Sequence, residues 1–421
     1  MPIAPRERLN RCGLVAALLA ALTIAAAMPG ETSAQSNAER WVGAWGASPC
    51  RVLPGDQAVA DVAGRTLRQI VHLSAGGDAV RVRLSNVDSS APLIIGTASL
   101  GIQSVHKQIE LGTTRPLTFG GKSAVRIPGG QSILSDPVTL RVAAFTNLAV
   151  SLYFPEGAKS PTIHSTALQS SWLSEPGDFA ADRDMATLRS LRTWSTITAV
   201  EVASNEAVGT IVAFGDSITD GAGSTSDTNR RWPDYLARRL QRARDMPRYA
   251  VVNAGIGGNR VLNTLPGLGV SAVARFQRDA LDVAGVTHVI VLEGINDIGI
   301  PNMGAFARNQ VVSADEIIAG HRRLIEMAHA RGVKMIGATL LPFEEATYYS
   351  EEGEAKRQAV NEWIRTGDEY EAVIDFEAAV RDPKRAKRLR ADFTADFLHP
   401  NDAGYEAMAK SIDLAIFESS K

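Results

Sequence analysis

The 421-residue chain has few cysteines and no excess of charge of either sign. Its two cysteines, Cys12 and Cys50, are too few for a disulfide framework. Lys and Arg number 44 against 46 Asp and Glu, which argues against a general nucleic-acid binder. With 45 % hydrophobic and 21 % charged residues, the composition also excludes collagen-like, coiled-coil and largely disordered chains.

Long apolar runs are also missing, except near the N terminus. Three arginines precede the apolar stretch 13–28, and small residues follow it at 32–34. This order is typical of a secretory signal peptide, so we expect residues 1–34 to be removed after Ala34. The alternative is a membrane anchor, but sixteen residues are few for a span. We therefore predict a secreted or periplasmic protein without stable membrane insertion, whose remaining Cys50 is a structural thiol.

The first half of the mature chain is rich in short β-type runs separated by turn residues. The clearest are residues 66–74, 79–84, 92–100, 138–142 and 147–154. Apolar and basic side chains alternate over residues 80–84, as in a strand with one buried face. Gly76-Gly77-Asp78 indicates a hairpin between the first two runs. We predict an N-terminal β-sandwich or jelly-roll-like domain over residues 38–205.

After residue 205, apolar strands alternate with amphipathic helices. Strands are predicted at 210–214, 249–253, 287–292, 333–338 and 372–376, and helices at 232–245, 271–281, 314–331, 352–367 and from 403 onward. This order predicts a parallel sheet covered by helices on both faces, forming a second domain over residues 206–421. Ligands bind such sheets beyond the carboxyl ends of the strands, so the segments there are the candidates for chemistry.

The first of these strands ends in Gly215-Asp216-Ser217, a tight turn that would expose a serine at a helix N terminus. The second ends in an Asn253–Gly258 segment whose glycines allow backbone N–H groups to approach a ligand. A dinucleotide loop would need Gly-x-Gly-x-x-Gly, and its third glycine would fall on Arg260. Nicotinamide chemistry is therefore disfavoured.

Two further segments carry polar side chains suited to catalysis. Asn296, after the third strand, has a side-chain N–H that could bind a developing oxyanion. Asp396 precedes His399 by three residues, a spacing at which a carboxylate can orient an imidazole. Taken alone, each segment is more typical of a structural turn than of a catalytic site.

Together these segments resemble, in order and spacing, the conserved blocks of the SGNH (GDSL-type) hydrolase superfamily. The blocks are Gly215-Asp216-Ser217, Asn253 to Gly258, Gly294 to Asp297, and Asp396 to Pro400. The resemblance covers about the C-terminal half of the chain. It implies a flavodoxin-like three-layer α/β/α domain, and residues 221–233 resemble the secreted branch near xylanase-cluster esterases.

The resemblance also implies roles for individual residues. Ser217 would be the nucleophile, His399 the general acid and base, and Asp396 its orienting carboxylate. The oxyanion hole would comprise the Ser217 and Gly258 N–H groups and the Asn296 side chain, with Gly257 as the alternative to Gly258. Asp216 and Asp297 are expected to brace their turns. The implied reaction is two-step acyl transfer from a small-molecule or polysaccharide ester, without a cofactor.

Other features of the sequence point to alternative interpretations. His321 and His329 lie eight residues apart on one predicted helix, which favours a solvated face over a metal site. The basic stretch 381–390 is interpreted as an exposed helical surface that could give the site mouth a positive field. A carbohydrate-binding role remains as the non-enzyme alternative, because four tryptophans of the β-rich half could form a sugar-stacking face: Trp41, Trp45, Trp172 and Trp194.

Within enzymes, a lipase or phospholipase and an acyltransferase are the alternatives to an esterase. Segments 261–270 and 298–312, which could cover the site, contain Pro, Gly and Asn and no sustained apolar stripe. A pocket with such walls would bury little acyl chain, so we expect a preference for acetyl and other short acyl esters.

Overall fold

The chain forms antiparallel sheets up to residue 204 and a parallel sheet with helices from residue 207 onward. The computed structural model describes residues 40–50, 62–158, 161–304 and 307–418. The predicted signal peptide lies outside these residues. We call residues 40–204 the β region and residues 207–418 the α/β region.

The strands of the β region are short and irregularly spaced. In chain order they are β1 (Arg40–Gly46), β2 (Arg65–His72), β3 (Gly77–Ser85), β4 (Leu93–Ile95), β5 (Thr97–Ile102), β6 (Arg115–Pro116), β7 (Val125–Ile127), β8 (Ser132–Leu134), β9 (Val138–Val142), β10 (Asn147–Phe154), β11 (Ile163–His164), β12 (Ser171–Pro176), β13 (Thr187–Leu191), β14 (Trp194–Ser195) and β15 (Ile197–Ser204).

Two larger antiparallel sheets dominate this region. One has the order β1-β15-β3-β8, with β9 also paired to β3, and the other has the order β13-β12-β2-β10-β5-β6. Val80, Val82 and Leu84 of β3 are fully buried, whereas Arg81 and Arg83 between them ion-pair with Glu201. The apolar residues of both sheets share one core. The predicted alternation in β3 and the predicted all-β character of this region are confirmed.

The hairpin predicted at Gly76-Gly77-Asp78 is wrong. The strands on either side of it, β2 and β3, lie in different sheets, so the chain crosses from one sheet to the other at this point. A side chain at Gly76 would come within 2.7 Å of the Val142 carbonyl oxygen, so glycine there serves the close approach of two backbones.

The α/β region alternates strands and helices, as predicted. Its strands are β16 (Ala207–Gly215), β17 (Arg248–Gly255), β18 (Val286–Leu292), β19 (Lys334–Ala338), β20 (Ala372–Ile374), β21 (Arg381–Asp382) and β22 (Arg385–Leu389). Its helices are α1 (Ser217–Asp220), α2 (Trp232–Arg242), α3 (Ala272–Phe276), α4 (Ile295–Gly299), α5 (Ala314–His329), α6 (Glu351–Thr366), α7 (Phe376–Val380) and α8 (Asp402–Ser411).

The parallel sheet has the order β17-β16-β18-β19-β20. Within this sheet β16 lies between β17 and β18, and it is almost entirely buried because helices cover both faces of the sheet. The sheet therefore brings the ends of β16, β17 and β18 together at one edge, and with them the candidate residues that follow each strand.

Some predicted elements differ from the observed ones. The helix expected over 271–281 becomes wider-wound at Gln277–Leu281, directly after α3. The strand expected over 372–376 ends at Ile374, because the Asp375 side chain accepts the Ala378 N–H and starts α7. The basic stretch 381–390 is not helical but forms the β21–β22 hairpin, where Arg385, Lys387 and Arg388 ion-pair with glutamates.

The two regions join through the two residues between β15 and β16 and contact each other along β1. The Gly43 N–H donates to the Ala284 carbonyl, and all the described residues belong to one compact unit. Within the described part of the chain, no helix is both long and apolar enough to cross a membrane.

Candidate active site

The β16–α1 turn presents Ser217 at the carboxyl edge of the parallel sheet. Gly215 ends the strand at a position where a Cβ would lie 2.3 Å from the Leu292 carbonyl oxygen, so only glycine allows this sharp turn. Asp216 caps α1, because its carboxylate accepts the Ile218 N–H at 2.9 Å. Ser217 is the first residue of α1, and its N–H therefore has no acceptor within the helix.

The loop before α8 brings His399 against Ser217. The Oγ of Ser217 lies 2.8 Å from Nε2 of His399, and Nδ1 of His399 lies 2.7 Å from Oδ2 of Asp396. A carboxylate only accepts hydrogen bonds, so Nδ1 carries a proton and Nε2 is left to accept the serine hydroxyl proton. The three side chains form one hydrogen-bonded chain.

Backbone contacts hold the Asp396 carboxylate in this position. Its Oδ1 accepts the N–H groups of Leu398 and His399 at 3.0 and 2.8 Å. Burial opposes ionisation, but the bonds from the His399 ring and these N–H groups outweigh it, and the pKa of Asp396 lies well below its usual range. Asp396 is therefore an anion at neutral pH.

The glycine segment after β17 offers one backbone N–H to the same space. The N–H of Gly257 donates to Oδ2 of Asp220 at 3.1 Å and is therefore occupied. Gly258 has a φ of +73° and lines the pocket with Ser217, and within the described residues its N–H has no acceptor. Of the two glycines that the sequence left open, Gly258 is the one placed to bind a ligand.

Asn296, on α4 after β18, lines the same pocket. One proton of its Nδ2 is donated to the Asn259 carbonyl at 3.0 Å, so the other can point to a ligand. Its Oδ1 accepts the hydroxyl of Tyr348 at 3.3 Å, which fixes the orientation of the amide. Tyr348 was not predicted, because no sequence motif links it to the site.

The two neighbouring aspartates brace turns, as expected from the sequence. Asp297 accepts the N–H groups of Val261 and Leu262 at 2.7 and 3.2 Å, and burial raises its pKa to about 6. Asp216 is fully buried, and burial raises its pKa to about 7. Neither carboxylate touches the Ser217 hydroxyl in the described hydrogen-bond network.

Ser217, Gly258, Asn296, Asp396 and His399 all line one open pocket of about 480 Å³. Its other walls are mainly apolar, formed by Ala222, Leu268, Ile300, Met303, Thr347, Tyr348 and Leu398. Leu268, Ile300 and Met303 belong to the two segments that the sequence predicted to be poor in apolar wall. That prediction looked for a continuous apolar stripe along the sequence. In the structure, Leu268 comes from one loop, and Ile300 and Met303 come from one short 3-10 helix.

Other candidates lie elsewhere. His321 is buried and bonds the Tyr370 hydroxyl and the Glu293 carbonyl, so the predicted solvated face is wrong for His321. His329 is exposed, as predicted. Trp45 and Trp194 pack edge to face in the core. Buried Cys50 bonds Ser165. Among the described residues, no group of three or more His, Cys, Asp or Glu side chains could hold a metal ion.

Comparison with known proteins yields one family. Residues 213–407 match the GDSL-like Lipase/Acylhydrolase family, a range that contains all the pocket's polar residues named above. No curated protein matches the chain.

Similar solved structures include a putative lipolytic protein of the G-D-S-L family from Desulfitobacterium hafniense, with 21 % identity over 48 % of this chain and 96 % of that one, and a TM-score of 0.36. A catalytic mutant of an acetylxylan esterase from Geobacillus stearothermophilus shares 22 % identity over 51 % of this chain and 96 % of that one, with a TM-score of 0.39. The family match, and not these distant structures, bears on function. Over residues 213–407, the α/β region is a GDSL-like lipase/acylhydrolase (SGNH) domain, and the protein is a carboxylic ester hydrolase.

Proposed function

We propose that the protein is a secreted serine esterase that hydrolyses short-chain acyl esters, acetyl esters first, through a covalent acyl-enzyme. The observation that carries the proposal is the hydrogen-bonded chain from Ser217 to His399 to Asp396, with contacts of 2.8 and 2.7 Å. A serine hydroxyl becomes a nucleophile when an adjacent imidazole takes its proton, and the third group holds that imidazole in the required tautomer.

In the acylation step, the Ser217 Oγ bonds to the ester carbonyl carbon while its proton passes to Nε2 of His399. Asp396, already an anion, stabilises the resulting imidazolium. His399 then returns the proton to the alcohol oxygen as the carbon–oxygen bond breaks. A water molecule then attacks the acyl carbon while His399 takes its proton. His399 returns that proton to the Ser217 Oγ as the carboxylic acid is released.

Negative charge on the carbonyl oxygen would be bound by the N–H groups of Ser217 and Gly258 and by Nδ2 of Asn296. All three residues line the pocket, and each has an N–H not committed within its own element or turn. Donors fixed before the reaction stabilise the tetrahedral intermediate without reorganising.

Support for a small acyl group comes from the crowding around these donors. Leu268 covers Gly258 so closely that a Cβ on that glycine would lie 2.7 Å from Cδ2 of Leu268. Tyr348 closes the space beside Asn296, since its hydroxyl contacts the amide. These two side chains narrow the space beside the donors, which favours a small acyl group such as acetyl.

A second candidate, a lipase-type acylhydrolase for longer chains, is favoured by one observation. Ile300, Met303 and Leu398 give the outer pocket an apolar wall, and Met303 is 52 % exposed. A long acyl chain that leaves the narrow part could lie along this wall. Initial rates on nitrophenyl esters from two to twelve carbons, with acetate release from acetylated xylan, separate the two candidates.

Export rests on the sequence of residues 1–34, with its basic start, apolar stretch and small-residue end. Such a protein would meet its esters outside the cytoplasm.

The decisive test of the mechanism is Ser217→Ala. Removing the nucleophile of a cooperative triad typically lowers kcat by about 10⁶-fold. Ser411→Ala, whose hydroxyl bonds the Met408 carbonyl in α8, is the matched control and should hydrolyse esters like the wild type. Near-native activity of a purified, folded Ser217→Ala protein would refute the proposal.

A further inference from the structure

A histidine of the β region reaches the helix that carries Ser217. His164, the last residue of β11, places its Nε2 2.9 Å from Oδ1 of Asp220, the last residue of α1. The two side chains are only 5 % and 4 % exposed. A buried ion pair thus links the two regions beneath the candidate active site.

Both ring nitrogens of His164 face acceptors. Nδ1 lies 2.9 Å from the Ser48 carbonyl oxygen, and Nε2 faces the Asp220 carboxylate. Because carbonyl and carboxylate oxygens only accept, both nitrogens must donate, and the ring is an imidazolium. Burial by itself would lower the pKa of His164, but the Asp220 carboxylate and the two hydrogen bonds outweigh it and the pKa is raised.

Two arginines complete the charge around this pair. Arg231 donates from Nε to the Asp220 carbonyl at 3.0 Å and faces the Trp194 ring, which itself packs against His164. Arg275 donates to the Ser48 hydroxyl, on the other side of the histidine. Arg231 also pairs with Asp234 and Arg275 with Asp279, so the Asp220 carboxylate is the anion that faces His164.

The second oxygen of Asp220 holds the glycine segment. Its Oδ2 accepts the Gly257 N–H at 3.1 Å, and the Asn259 N–H closes the other end of the turn on the Ile256 carbonyl at 3.1 Å. Gly258 lies between these two fixed points, so its N–H direction follows from them. Thr166 of the β region lies beside Gly257 as well, with Oγ1 3.5 Å from where a Cβ would stand.

We propose that His164 is a positioning residue for ester hydrolysis: through Asp220 it fixes the Gly257–Gly258 turn so that the Gly258 N–H is aimed at the developing oxyanion. The inference rests on the proposed function, because it assigns the Gly258 N–H to the oxyanion hole. It gives the β region a part in catalysis without placing any of its atoms on the substrate.

The test uses His164→Gln and Asp220→Asn in the full-length enzyme. His164→Gln removes the positive charge and should lower kcat about 10- to 100-fold, less than the loss of a whole oxyanion donor, with KM changed by no more than about twofold. Asp220→Asn keeps an oxygen that can accept the Gly257 N–H, so it should retain more activity than Asp220→Ala.

The affinity for a phenylboronic acid distinguishes a positioning role from a merely structural one, which would leave this affinity unchanged. The boronic acid forms a bond from boron to the Ser217 Oγ and places an oxygen in the oxyanion hole, so its Kd should rise by the same factor by which kcat/KM falls. His288→Gln removes another buried histidine, one that bonds only Thr287 in the described network, and should change neither quantity.

The outcomes distinguish this inference from the proposed function. If Ser217→Ala stays active, the proposed function is wrong and the positioning role falls with it. If Ser217→Ala is inactive while folded His164→Gln matches the wild type in kcat and boronate affinity, only the positioning role is wrong. Should His164→Gln not fold, Asp220→Asn decides: equal activity and boronate affinity for Asp220→Asn and Asp220→Ala would overturn the role.

Discussion

Buried charged groups are hydrogen-bonded differently in the β region and at the active-site edge of the α/β region. In the β region, the buried Arg68 guanidinium donates to five oxygens, and both oxygens of Glu201 face arginines. Beneath Ser217 the opposite holds. Among the described residues, Oδ2 of Asp216 and both carboxylate oxygens of Glu293 are buried without a hydrogen-bond partner.

The difference separates buried charges that hold the β sheets together from those that lie under the nucleophile. Buried polar groups in proteins are normally satisfied, and those that are not tend to mark functional sites. Arg275 lies 3.6 Å from Glu293, but burial outweighs its charge and raises the pKa of both Glu293 and Asp216. Unsatisfied charge is tolerated where the chain must turn sharply to expose its nucleophile.

The largest effect expected from this comparison is that of Asp396→Asn. An asparagine cannot accept the Nδ1 proton of His399 with the same charge, so the imidazole loses its tautomer and kcat should fall about 10⁴-fold. Glu201→Gln makes the same chemical change in the β region, where it weakens two ion pairs.

Kinetics and thermal unfolding of both variants test this contrast. Glu201→Gln should unfold at a lower temperature and keep its kcat. Asp396→Asn should lose kcat and keep its unfolding temperature. A similar loss of kcat in both variants would show that the Glu201 carboxylate also supports catalysis, and the contrast between the regions would be wrong.

The next effect concerns two buried asparagines. Asn296→Ala should lower kcat about 10²- to 10³-fold with a smaller change in KM, because its N–H binds most strongly as charge develops. Asn86→Ala in the β region removes an amide that donates to three carbonyls, those of Ala91, Ile127 and Pro128. It should destabilise the fold and leave kcat unchanged; if Asn296→Ala altered only KM, the amide would position substrate instead.

A third prediction concerns pH and stability. The pKa of Asp216 is raised to about 7, so the folded state binds a proton that the unfolded state releases near pH 4. That contribution to stability is complete below pH 4 and is lost as the pH rises to 7. Asp216→Asn keeps an oxygen to accept the Ile218 N–H and should therefore gain stability relative to the wild type across this window.

Denaturant unfolding at pH 4 to 8 measures that gain, with Asp136→Asn as the control of opposite sign. In the β region, the Asp136 carboxylate accepts the Thr118 hydroxyl and two glycine N–H groups, which lower its pKa. Its stabilisation is present above pH 4, so Asp136→Asn should lose stability there. A flat difference between wild type and Asp216→Asn would mean that Asp216 ionises normally in the fold.

The sequence predicts the α/β order and five residues of the pocket, from Ser217 to His399, because each lies at a strand end or in a short motif. The β2–β3 crossover was not predictable, since Gly76-Gly77-Asp78 satisfies the local pattern of a hairpin and only sheet packing decides between the two. His164 and Tyr348 were missed for the same reason. Tyr348 lines the pocket and His164 contacts Asp220, each from a distant segment of the sequence that contains no motif.

The smallest expected effect distinguishes the two acyl-length candidates at one apolar side chain. Met303 lines the outer pocket and is 52 % exposed. If chains longer than acetyl lie along it, Met303→Ala removes contacts worth about 0.8 kcal/mol per buried CH₂ and lowers kcat/KM several-fold for eight-carbon esters. Acetyl esters, held in the narrow part near Gly258 and Asn296, should be unaffected. Leu188→Ala, which shortens an exposed leucine of the β region, is the matched control and should leave both rates unchanged. An equal loss on two-carbon and eight-carbon esters would show that Met303 shapes the site as a whole, and the division into a narrow inner and an apolar outer pocket would be wrong.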